Sequence, residues 1–159
     1  MEELKKKFRK RLWLLRNLKN ARAERKDLID CYVCFIRPVL EYCSNVYHPM
    51  LCLGLTKMIE KMQFTALKII LGYGKEKEKL LEESGLPTLE ERRKRLFNKF
   101  CMKVYENERF REEWLEERTF TGHDLRKQKI IREKNSRTKR LFDSPLYTIR
   151  RYLNDFLVK

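Results

Sequence analysis

No stretch of this 159-residue chain approaches the ~20 consecutive apolar residues needed to cross a bilayer. The opening Met-Glu-Glu-Leu-Lys-Lys-Lys runs into charge, with no apolar region of about 7–15 residues behind it. A secretory signal is therefore not expected, and a nuclear or cytoplasmic location with reduced cysteines is. Glycine and proline are scarce, at five and four, which excludes collagen-like and low-complexity classes. The two histidines, His48 and His123, have no neighbouring nucleophile or carboxylate pattern that reads as a triad. The aspartates are Asp27, Asp30, Asp124, Asp143 and Asp155, and no two are adjacent. Phosphoryl or nucleotidyl transfer through paired metal ions is thus not expected of this chain. Neither G-x-x-x-x-G-K-S/T nor G-x-G-x-x-G occurs, so no nucleotide-cradling loop is implied. No enzyme and no cofactor is expected.

What the chain has is positive charge, 38 Lys+Arg against 23 Asp+Glu, with 42% hydrophobic residues. Its length suits one domain or two small ones, and its hydrophobic share argues against disorder throughout. The charge is uneven. Residues 1–26 hold 11 basic and 3 acidic side chains, and residues 118–140 hold 9 and 2. Between them, residues 27–74 balance at 4 and 4, and residues 75–117 at 11 and 12. Two basic blocks flanking a neutral body favour a polyanion, most commonly nucleic acid, over two merely solvated faces.

Apolar spacing predicts an all-α chain. It reads as a helical bundle followed by a basic arm and a C-terminal helix, divided as 1–74, 75–117 and 118–159. Over residues 2–20, Leu4, Phe8, Leu12, Leu15 and Leu18 form a stripe of three- and four-residue steps. Residues 25–47 are apolar on most faces, the pattern of a central helix, with Pro38 expected to kink or break it. Residues 55–71 repeat the three-and-four spacing and end at Gly72. A short charged helix is expected over 76–84, stopped by Gly85. Thr88-Leu-Glu-Glu91 forms a capping box that opens a helix to Glu106, with a shorter piece over 108–117. Residues 118–143 lack periodicity and read as a basic arm, ordered on binding if at all. Ser144-Pro145 opens the last helix, to Leu157.

Cys31-x-x-Cys34, with Cys43 and His48 nearby, has the look of half a zinc site. Zinc needs a second well-spaced pair, which does not follow, and reduced cysteine is a common core residue. A redox pair would sit at a helix N-terminus after a strand, and no strand is expected.

Five further motifs carry a family resemblance. Arg37-Pro-Val-Leu-Glu-Tyr-Cys43 followed by Val46-Tyr-His-Pro49 resembles the signature found just after the catalytic palm of LINE-type (non-LTR) retrotransposon reverse transcriptases. Arg11-Leu-Trp-Leu-Leu-Arg16 is similar to that family's R-L-x-x-L-R helix. Leu55–Gly72 is similar to its I-E-x-x-Q-x-x-A-L-R-I-I-L-G segment. Leu86-Pro-Thr-Leu-Glu-Glu-Arg92 and Arg137-Thr-Lys-Arg-Leu-Phe-Asp-Ser-Pro-Leu146, with Ile149-Arg-Arg151, resemble its later segments, in order. The resemblance implies a thumb and the region after it. It departs from the whole enzyme in lacking the Tyr/Phe-x-Asp-Asp motif and the C-terminal Cys/His knuckle of some relatives, so catalytic and metal-binding roles do not carry over. The role that does carry over is a grip on the backbone of RNA, DNA or an RNA–DNA hybrid, and the palm and fingers of a parent polymerase are implied as partners.

Phosphate contacts need Lys and Arg but no base reading. The candidate contacts are Lys6, Arg9, Lys10, Arg16 and Lys19 on the first helix, and Arg126, Lys127, Lys129, Arg132, Arg137, Lys139 and Arg140 on the arm. Trp13 is a candidate for stacking on a base or ribose, with core packing as the alternative. Two other readings stay open: a helical module for an acidic protein partner, and a decayed fragment whose apolar surface has lost its cover.

Overall fold

The computed structural model describes residues 2–116, 130–133 and 135–157. Its regular elements are helices, with no strand among the described residues. They are α1 (Glu2–Asn20), α2 (Arg25–Cys31), α3 (Arg37–Glu41), α4 (Ser44–Tyr47), α5 (Leu53–Leu71), α6 (Lys77–Ser84), α7 (Leu89–Glu106), α8 (Glu108–Trp114), α9 (Lys139–Phe142) and α10 (Pro145–Leu157). A π-helical turn, Tyr32–Ile36, joins α2 to α3, and a 3-10 turn covers His48–Met50. The chain divides into two compact units, Met1–Cys43 with Cys52–Arg92, and Ser44–Leu51 with Arg93–Lys159.

In the first unit, α1 buries Phe8, Leu12 and Leu15, the middle of its apolar stripe. It packs against α5, which buries Ile59, Met62, Gln63, Ala66, Leu67, Ile69, Ile70 and Leu71. Gly72 ends α5 at φ 104, a backbone conformation that glycine reaches without a Cβ penalty.

Pro38 does not break its helix. A proline at this position cannot donate to the preceding turn, and its ring crowds the carbonyl there. The backbone responds with the π turn, where the Arg37 N–H donates to the Tyr32 carbonyl five residues back, and α3 continues through Pro38. Nor is this helix buried all round. Leu28, Cys31, Tyr32, Ile36 and Leu40 face inward, while Phe35 and, just past α3, Tyr42 are exposed.

The second unit has its own core of Phe97, Cys101, Val104, Leu115, Ile131, Ile149 and Leu153. Ile131 lies in the segment expected to be an arm ordered only on binding. Instead it is buried, and the Asn154 side chain holds its backbone from both sides. The Ile131 N–H donates to Asn154 Oδ1 at 2.8 Å, and Asn154 Nδ2 donates to the Ile131 carbonyl at 2.9 Å. A short helix, α9, also forms in that region, with the Thr138 hydroxyl accepting from the Leu141 N–H. Burial of the Cys101 thiol in this core pushes its pKa up to about 12.

Candidate nucleic-acid interface

The polar residues of the resembling motifs do internal work. Arg11 donates to the Phe35 carbonyl in the π turn. Arg92 pairs with Glu41 at 2.5 Å, and Arg37 lies 3.8 Å from the same carboxylate. Glu60 receives the Leu89 and Glu90 N–H groups at 3.3 and 2.7 Å, placing a negative charge on the N-terminus of α7. The capping box closes as expected: the Glu91 N–H donates to the Thr88 hydroxyl, and the Thr88 N–H to the Glu91 carboxylate. Gln63 donates to the Pro87 carbonyl. Beneath these groups Tyr32 is fully buried, and desolvation holds its phenol well above the usual range. The motifs near residues 11, 37–41, 59–63 and 88–92 are thus stitched to one another within the first unit.

Arginines are spent in the same way in the second unit. Arg150 is buried and donates through Nε and Nη2 to the Trp114 carbonyl at the end of α8. Arg151 stacks on Phe142, 3.6 Å from the ring centroid, and donates to its carbonyl. Arg93 is also fully buried.

The candidate contacts behave differently. Lys6, Arg9, Lys10, Trp13 and Arg16 are all exposed on α1. Trp13 is three residues from Lys10 and Arg16 and four from Arg9, so these side chains are neighbours on one helix face. That face lies opposite Phe8, Leu12 and Leu15. Trp13 is 64% exposed and therefore stands in the middle of the cationic face, outside the core. The side chains of Lys6, Lys10 and Arg16 make no hydrogen bond or ion pair among the described residues. Lys19 departs from the set: its ammonium donates to the Ile69 and Ile70 carbonyls, capping the last turn of α5.

On the arm, Arg132, Arg137, Lys139 and Arg140 are exposed in the second unit, Arg132 lying 3.8 Å from Glu116. Arg126, Lys127 and Lys129 lie outside the described residues.

Sequence reasoning passed over a second basic surface. Lys57, Lys61, Phe64, Thr65 and Lys68 stand on the side of α5 away from its buried residues. With Lys77, Thr88 and Glu90 they line a groove of about 710 Å³. The spacing was readable, but the balanced charge of residues 27–74 concealed it, because Asp27 and Asp30 sit on α2 rather than α5.

All five cysteines are free thiols. Cys31 is buried and Cys34 exposed, as are Cys43 and Cys52. Among the described residues, no three His, Cys, Asp or Glu side chains gather as metal ligands, and no helix is long and apolar enough to cross a membrane. Comparisons with protein-family models, with curated proteins and with solved structures each return no match.

Proposed function

We propose that this chain is the thumb and C-terminal region of a non-LTR retrotransposon reverse transcriptase, without the catalytic palm, and that the outward face of α1 grips nucleic-acid backbone. The observation that carries the grip is Trp13, exposed at the centre of Lys6, Arg9, Lys10 and Arg16. An exposed tryptophan ordinarily gives up burial worth about 2 kcal/mol or more, so its place among cations is the mark of a surface made for contact. From Lys6 to Arg16 the helix rises about 15 Å, enough to follow several phosphates. The family reading rests on five motifs in order, and its support is that the polar residues of four of them meet in one folded unit. The contact is with backbone and is independent of sequence. No reaction is assigned to the chain.

The test is fluorescence anisotropy of the full chain with a labelled 12-base-pair RNA–DNA hybrid and with DNA duplexes of two unrelated sequences. At low salt the wild type is expected to bind all three within a few-fold of one another. The Lys6→Gln/Lys10→Gln/Arg16→Gln variant is expected to weaken all three at least ten-fold. Absence of binding at low salt sinks the reading. Recovery of a single acidic protein partner after nuclease treatment favours the interaction-module reading instead.

A further inference from the structure

The groove on the far side of α5 repeats the pattern of α1 in a different shape. Lys57, Lys61 and Lys68 recur at steps of four and seven, with Phe64 between them, on the side of the helix away from the core. Lys57 and Lys61 are exposed, Lys68 and Phe64 half-buried. From the start of α6 the Lys77 ammonium lies over the Phe64 ring, 5.6 Å from its centroid, a loose cation–π contact that a stacking base would take over. None of the four ammonium groups makes a hydrogen bond or ion pair among the described residues. Two acids approach the groove. Glu60 is occupied by the N–H groups of α7, and Glu90 is exposed at the rim. The lysines therefore dominate the groove.

We propose that this groove binds single-stranded nucleic acid, the lysines on phosphates and Phe64 under a base. Concavity decides between strand and duplex. The outward face of α1 is one convex helix surface, open to a duplex backbone. The α5 groove is a cleft walled by the starts of α6 and α7, which admits one strand and its splayed bases. Stacking on an aromatic ring among cations is how single strands are held without sequence preference. The span from Lys57 to Lys68 is about 16 Å along the helix, room for up to about five stacked nucleotides. A run of Asp and Glu offers charge for the lysines but no flat partner for Phe64, whereas every nucleotide carries both. The inference rests on the nucleic-acid reading of the chain but uses residues separate from the α1 face.

Three forms of the full chain separate the two surfaces: wild type, Lys57→Gln/Lys61→Gln/Lys68→Gln, and the α1 triple variant. Each is titrated into labelled dT12 and into a 12-base-pair duplex, with far-UV circular dichroism to check the fold. The groove variant is expected to weaken dT12 at least ten-fold, to leave the duplex within two-fold, and to make the log affinity–log salt slope on dT12 shallower by about 2. Phe64→Leu, which keeps apolar volume, is expected to weaken dT12 at least five-fold with the salt slope unchanged. Equal weakening of both probes, no weakening of dT12, or displacement of dT12 by polyglutamate as readily as by unlabelled dT12 overturns the proposal. If the α1 variant binds the duplex like wild type, the α1 reading fails and the groove stands by its own result.

Discussion

The two units share one device, side-chain donors on backbone carbonyls, and differ in what stands beside it. The first places carboxylates against arginines and helix N-termini: Glu41 against Arg92, Glu60 on α7, and Glu83 between Lys75 and Arg25. It then leaves one helix face and one groove rich in uncommitted cations. The second turns arginine and asparagine onto backbone carbonyls and amides: Arg150 on Trp114, Arg151 on Phe142, and Asn154 on Ile131. The difference teaches that a net charge of +15 is a poor guide to which cations are open to a polyanion. Much of the arginine is already committed, and the cations of α1 and α5 that have no hydrogen-bond or ion-pair partner among the described residues are mainly lysine.

The contrast breaks most readily in the cores. Leu15 in the first unit and Leu153 in the second are both fully buried. Leu15→Ala and Leu153→Ala are each expected to cost about 2–5 kcal/mol, measured by urea denaturation. Because the units have separate cores, near-UV circular dichroism of Leu153→Ala is expected to report loss around Trp114, whereas Leu15→Ala is expected to leave it.

A smaller effect compares two polar clasps. Asn154→Ala strips both partners from the Ile131 backbone and is expected to cost about 1–3 kcal/mol, since a buried N–H and C=O are left unmade. Thr88→Ala removes one exposed cap in the first unit and is expected to cost about 1 kcal/mol. Hydrogen exchange at Ile131 is expected to accelerate in the first variant and not in the second.

The smallest effect is in acid. Hydrogen bonds from Lys75 and Arg25, with the charges of both, hold the Glu83 carboxyl below its ordinary value of 4.5. A carboxyl lowered in the folded state adds stability above its unfolded pKa and loses it as the pH falls through the folded value. Glu83→Gln is therefore expected to lower Tm slightly at pH 7, with the difference from wild type shrinking below about pH 4.5. A difference that stays constant to pH 2 contradicts the pairing.

Most of the helices were legible because their apolar spacing was regular and their ends carried strong signals. The α7 and α10 boundaries, the Gly72 and Gly85 stops and the Thr88 capping box all follow from local chemistry. Less legible was what depended on distant partners. Pro38 promised a kink or a break, and the form it takes, a π turn over Tyr32–Ile36, was not readable from the proline alone. Ile131 offered no periodicity, because it is held by an asparagine 23 residues away. Trp13 was read beside an apolar stripe, and only the packing of Phe8, Leu12 and Leu15 shows that it faces out. The α1 cations were visible as a basic block. The α5 groove was not, because a net count averages over helices that point in different directions.

The most direct test of the account is the salt dependence of duplex binding by wild type and by the Lys6→Gln/Lys10→Gln/Arg16→Gln variant. Each phosphate contact adds about 0.9 to the slope of log affinity against log salt. The expected result is a slope shallower by about 2.7 in the variant, with its circular dichroism unchanged. Equal slopes would mean that these cations touch no phosphate, and the assignment of α1 as the gripping surface would fall.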